Sequence, residues 1–121
     1  MIASLLAAAL AVQEPPPIRA NPNGEEHPVY RRVQPGETRS EGLLRRIVCP
    51  GRGPVSLVVK QQEAVVQYTA PQLSSVDFIV YDRTFKGPVS CEGFGDGKRV
   101  YVTWKADGKN KRAIAVEFLP K

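Results

Sequence analysis

An all-β fold of five to seven short strands is what this 121-residue sequence predicts, and three observations predict it. Apolar segments rich in β-branched residues recur from residue 43 onward, broken by Gly and Pro about every eight to twelve residues, the spacing of short strands and tight turns. The last two segments alternate apolar and polar residues with period two, as strands with one buried face do. Beyond residue 13, no segment sustains a helical period over about 11 residues or more.

Taken in order, residues 43–49 make a first strand, closed by the turn Pro50-Gly51-Arg52-Gly53-Pro54. Residues 55–60 make a second, and Gln61-Gln62 connects it tightly to a third at 64–69. This is hairpin spacing. Pro71-Gln72-Leu73-Ser74-Ser75 reads as a short helical turn or loop, and residues 76–81 suit another strand. Gly87-Pro88 introduces a short segment at 89–91, and Gly93, Gly95 and Gly97 mark a flexible turn. Residues 99–105 and 112–119 form the clearest hairpin, joined by Ala106-Asp107-Gly108-Lys109-Asn110, whose Asp-Gly pair is turn chemistry.

In that hairpin Val100, Val102 and Trp104 are expected on the buried face, and Arg99, Tyr101, Thr103 and Lys105 on the wet one. In its partner strand Ile114, Val116 and Phe118 should point inward, and Ala113, Ala115 and Glu117 outward. One buried and one wet face is the pattern of an antiparallel sheet. Three strands, a short helical connection and a terminal hairpin, in a chain with many glycines, predict a small antiparallel OB-like barrel rather than a two-sheet sandwich.

The amino-terminal region sets the expected compartment. Residues 2–12, Ile-Ala-Ser-Leu-Leu-Ala-Ala-Ala-Leu-Ala-Val, followed by Gln13-Glu14-Pro15, read as the core and cleavage region of a secretory signal peptide over residues 1–12. The run is too short to span a bilayer, which takes about 20 apolar residues. No Lys or Arg precedes it, so the usual basic leader is missing apart from the amino terminus itself. Residues 13–41 hold six prolines (Pro15, Pro16, Pro17, Pro22, Pro28, Pro35) and few large apolar residues beyond Ile18, Val29, Tyr30 and Val33. Such composition predicts a disordered Pro-rich tether, leaving residues 42–121 as the folded domain. Export, secreted or periplasmic, places Cys49 and Cys91 where disulfides persist, so a disulfide is expected. Closing that loop stabilises by roughly 4 kcal/mol in the chain-entropy model.

The run Gly42-Leu43-Leu44-Arg45-Arg46-Ile47-Val48-Cys49, followed by Gly53-Pro54-Val55-Ser56-Leu57-Val58-Val59, resembles the opening of small exported bacterial OB-like β-barrel modules. Such modules also occur as C-terminal appendages of tetratricopeptide-repeat proteins. Val76-Asp77-Phe78, Val89-Ser90-Cys91 and Val100-Tyr101-Val102-Thr103-Trp104 are similar to the continuation. The resemblance implies an OB-like barrel with Cys49 joined to Cys91, and it implies no activity.

Catalytic inventory is thin. His27 is the only histidine and lies in the tether, so Ser-His-Asp and zinc-His arrangements have no second histidine to draw on. A glycosidase needs only a carboxylate pair. Here Asp77, Asp82, Glu92, Asp96, Asp107 and Glu117 fall mostly at strand ends and turns, where Asp is ordinary turn chemistry. The two cysteines lack Cys-x-x-Cys spacing, and Gly93-x-Gly95-x-Gly97 lacks the lysine of a phosphate loop. No catalytic residue, metal site or cofactor is therefore expected.

Charge carries the remaining signal. From residue 42 onward thirteen Lys and Arg stand against seven Asp and Glu. Arg99, Tyr101, Lys105, Lys109, Lys111 and Arg112 are the candidate polyanion-binding residues, with Lys98 at the same hairpin's end. Only Tyr101 among them offers a ring for stacking. The sequence thus predicts a non-enzymatic exported binding or structural module of the bacterial envelope. Its expected partner is an unknown protein or anionic polymer, and no stable transmembrane segment is expected after signal cleavage. The alternative is binding of single-stranded nucleic acid or an anionic glycan through the basic sheet face.

Overall fold

The computed structural model describes residues 18–20, as main chain, and residues 29–120. The expected signal segment, most of the tether and His27 lie outside the described residues. Seven strands form a single sheet: β1 (Ile18–Ala20), β2 (Thr38–Val48), β3 (Val55–Gln61), β4 (Ala64–Ala70), β5 (Asp77–Val80), β6 (Gly93–Asp107) and β7 (Asn110–Phe118). A single 3-10 turn, Leu73–Ser75, joins β4 to β5, where a short helical turn was expected. Among the described residues no helix is long and apolar enough to cross a membrane.

Strands β2, β3 and β4 form an antiparallel meander, and β6 and β7 an antiparallel hairpin. Gly108, with φ of +61°, occupies the first central position of the β6–β7 turn, where a hairpin needs a left-handed residue. The pairings return on themselves. Strand β2 pairs with both β3 and β6, and Leu43 and Leu44 belong to both ladders. The circuit β2–β3–β4–β7–β6 is completed by a parallel bridge between Thr69 and Arg112. Gly42 sits where β3 passes closest to β2, and a Cβ there would lie 2.6 Å from Val59 Cγ1 and 2.7 Å from the Lys60 carbonyl oxygen.

The sheet is mixed, which corrects the expectation of a purely antiparallel one. Strand β5 pairs in parallel with β7, and β1 in parallel with β5. The cause is connectivity: β5 reaches β7 by way of the whole of β6, which returns the chain in β5's own direction.

The core is formed by Leu44, Leu57, Val59, Tyr68, Phe78, Val100, Val102 and Phe118, all at most 2% exposed, with Leu73 of the 3-10 turn beside them. Expectation and structure part at several further places. The register shifts between Thr103 and Trp104, so Ile114 falls outside the ladder and Ala113 reaches the core instead. Trp104 is half-buried, its indole N–H donating to Ser40 Oγ at 3.0 Å. The glycine-rich stretch from Gly93 belongs to β6, whereas residues 89–91 form a loop that contributes buried Val89. Finally, β2 begins at Thr38 and residues 29–37 are packed on the sheet, so the tether cannot extend to residue 41.

Cys49 and Cys91 are joined, with Cα atoms 5.7 Å apart across 42 positions. The bond ties the end of β2 to the approach of β6, where Ile47 N–H also donates to the Glu92 carbonyl at 2.9 Å. The double variant C49S/C91S should lose roughly 4 kcal/mol of unfolding free energy, measured by urea titration against the oxidised protein. Gly42→Ala should also lower the urea midpoint, because the clash is with main chain as well as side chain.

Candidate functional site

Strands β2, β6 and β7 lie side by side, and their alternation gathers one set of polar residues on the outer face. Arg39 is opposite Thr103, Glu41 opposite Tyr101, and Tyr101 opposite Glu117. This is the face on which sequence placed the wet side of the hairpin. Yet Thr103 and Glu117 are both completely buried. Residues 29–37 run across part of this face as a strap.

The strap's own shape is written locally. Gln34-Pro35-Gly36-Glu37 makes a turn in which Glu37 N–H donates to the Gln34 carbonyl at 3.0 Å. Proline at the second position and Gly36 at φ +83° in the third are the residues a type II turn requires. Glu37 then accepts Gln34 N–H at 2.9 Å and both guanidinium nitrogens of Arg31 at 2.7 and 3.2 Å. The Arg31 contact, with the Gln34 N–H behind it, holds the Glu37 carboxyl down at about 2, against an ordinary 4.5.

Three contacts dock the strap. The Tyr30 ring sits edge-on to Tyr81 at 4.9 Å and to Tyr101 at 5.2 Å. Arg31 N–H donates to Glu117 Oε2 at 2.7 Å. Tyr81 O–H donates to the same oxygen at 2.7 Å and lies 3.1 Å from the Val29 carbonyl. Burial and then the bond to Glu117 push the Tyr81 phenol well above its ordinary value, so it stays a donor. Burial also raises Tyr30. Arg39 completes the set: its guanidinium lies over the Tyr101 ring at 5.0 Å, donates to the Arg31 carbonyl, and stands 3.9 Å from Glu117 Oε1.

Glu117 and Tyr81 are both buried, and their hydrogen bonds reach the strap at Arg31 and Val29. Arg39 Nε, Thr103 Oγ1 and Glu117 Oε1 are buried with no hydrogen-bond partner among the described residues, so the cluster is polar beyond what the strap satisfies.

The six residues singled out from sequence do not form one binding face. Tyr101 is half-buried beneath Tyr30 and Arg39 and offers no open ring. Arg99 lies 3.5 Å from Glu41 across the strands, and Lys105 is close enough to Glu37 to help lower its carboxyl. Lys111 sits with its ammonium 5.3 Å from the centre of the Trp104 ring, on the opposite side of β7 from Arg112. Lys109 and Arg112 remain exposed at the hairpin tip. Tyr30, Arg31, Glu37, Arg39 and Tyr81 escaped sequence reasoning; the Pro35-Gly36 pair was the one local signal of order in their segment. Among the described residues no three His, Cys, Asp or Glu gather as a metal site. Comparison with family models, curated proteins and solved structures finds no match to this chain, so its function is argued from its own residues.

Truncating Glu117 to Ala removes the acceptor of the buried Tyr81 hydroxyl and the half-buried Arg31 N–H and should cost about 3–5 kcal/mol of stability by urea titration at neutral pH. Glu117→Gln keeps an acceptor oxygen and should cost less. Because Glu37 is depressed when folded, its stabilising effect is full above about pH 4.5 and disappears as pH falls toward 2. The urea midpoints of the wild type and Glu37→Gln should therefore differ at neutral pH and converge across that window.

Proposed function

We propose that this chain is an exported, non-enzymatic binding or structural module of the bacterial envelope, its folded part an OB-like barrel. The observation that carries this reading is the Cys49–Cys91 disulfide. Such bonds persist in oxidising compartments and are rare in the cytosol, which agrees with a signal-peptide reading of residues 1–12. The closed strand circuit with a short helical element after its third strand supports the barrel. The polar face under the strap supports a module whose interior chemistry holds its own chain in place.

An intact, non-reduced mass of the protein recovered from its host tests the proposal. A mass lacking about the first dozen residues and lighter by two hydrogens supports it. A full-length mass with two free thiols overturns it.

One observation favours polyanion binding as a second reading, in a narrower form than six residues on a face. Lys109 and Arg112 are exposed at the β6–β7 tip, with Lys105 and Lys111 beside them and Asp107 as the tip's acid. With Tyr101 covered, affinity here would be electrostatic and would not rest on base stacking. Retention on a heparin column should then fall steeply with salt, and the Lys109→Ala, Arg112→Ala variant should elute at lower salt. Unchanged elution of that variant excludes the tip as the contact.

A further inference from the structure

A second surface feature lies away from the hairpin tip, at the entrance to β6, where it adjoins the outer face through Arg99. The β2–β6 ladder runs regularly to the pair Leu44–Lys98 and resumes at Arg46–Gly93. Four β6 residues, 94–97, therefore face one β2 residue, Arg45. Gly95 and Gly97 take up the excess with φ of +63° and +115°, and a Cβ on Gly97 would stand 2.9 Å from Leu43 Cβ. On the other side, Leu119 N–H donates to the Arg99 carbonyl at 3.0 Å and draws the end of β7 alongside. An open pocket of about 250 Å³ lies between Leu43, this end of the β6 ladder and the end of β7.

Its lining is two-sided in chemistry. Leu43, Phe118 and Leu119 supply an apolar floor, and Lys98 and Arg99 supply cations. Asp82 also borders the pocket, but one of its carboxyl oxygens is engaged by Thr84, accepting the backbone N–H at 2.8 Å and the hydroxyl at 2.6 Å. Arg99 is shared with Glu41. Lys98 is half-buried and makes no ion pair among the described residues. The volume falls just below the roughly 300–1,000 Å³ that encloses a drug-sized molecule.

We propose that this pocket binds a small amphipathic anion, a carboxylate on a short apolar body. The apolar body would lie on Leu43, Phe118 and Leu119, and the carboxylate would face Lys98, with Arg99 second. The proposal rests on the pocket alone and stands whether or not the chain is exported.

The test is a ¹⁵N–¹H NMR titration of the full, disulfide-intact chain with hexanoate, hexanol and hexylammonium as separate probes. Hexanoate should give saturable shifts at the amides of Leu43, Lys98 and Leu119, with affinity about tenfold above that of either other probe. Lys98→Gln should weaken hexanoate while leaving hexanol unchanged, and Lys98→Glu should favour hexylammonium. Arg99→Gln serves as the second variant if either Lys98 variant loses its dispersed spectrum. Shifts that do not saturate in the millimolar range, equal affinity for hexylammonium, or shifts confined to the Lys109–Arg112 tip overturn the proposal. The mass measurement above is unaffected by any of these results.

Discussion

The buried carboxyl of Glu117 is the constraint around which the outer layer of this molecule is organised. A carboxyl group removed from water must be given partners, because an unmet polar group in a low-dielectric setting costs more than an ordinary hydrogen bond returns. Here the partners come from far away in sequence: Tyr81, 36 positions back, and the main chain of Arg31, 86 positions back. Satisfying Glu117 therefore fixes the strap, whose Tyr30 packs against Tyr101. The same contacts align Tyr30 with two other rings. The face that alternation alone would leave wet becomes a second, polar layer of packing.

Two further devices hold the sheet beneath that layer. The disulfide joins β2 to the approach of β6, and the β2–β6 and β6–β7 ladders then carry the alignment along both strands. For a domain of this size such a crosslink is a large fraction of total stability, since small single cores are marginal on their own. Closure itself depends on short-range sterics. Gly42 lets β3 pass over β2, and Gly97 lets β6 press against Leu43. The pocket beside Lys98 lies next to that second approach.

These features bear on function through what they close and what they leave open. The aromatic residue best placed for stacking on the hairpin is covered by the chain's own amino-terminal segment, and Arg99 and Lys105 have acidic neighbours. Positive charge remains accessible at the β6–β7 tip and beside the pocket. The exposed positive charge accordingly lies at strand ends and turns and not across a broad sheet surface.

Much of the fold was legible because it rests on local rules. Period-two alternation located β6 and β7, the Asp-Gly pair located their turn, and glycine and proline punctuation separated β2 from β3 and β4 from β5. The core residues Val100, Val102, Val116 and Phe118 follow from alternation alone. What the sequence could not decide is whatever depends on contacts between distant segments. The single-residue slip that exchanges Ile114 for Ala113 in the core is set by fitting β7 to β6 while it also meets β4 and β5. The parallel pairings follow from the path of β6, which no residue of β5 announces. The strap is the plainest case: residues 29–37 are too polar for composition to predict that they dock on the sheet. They are ordered because Glu117 and Tyr81, brought together only in the folded sheet, require the hydrogen bonds that this segment supplies.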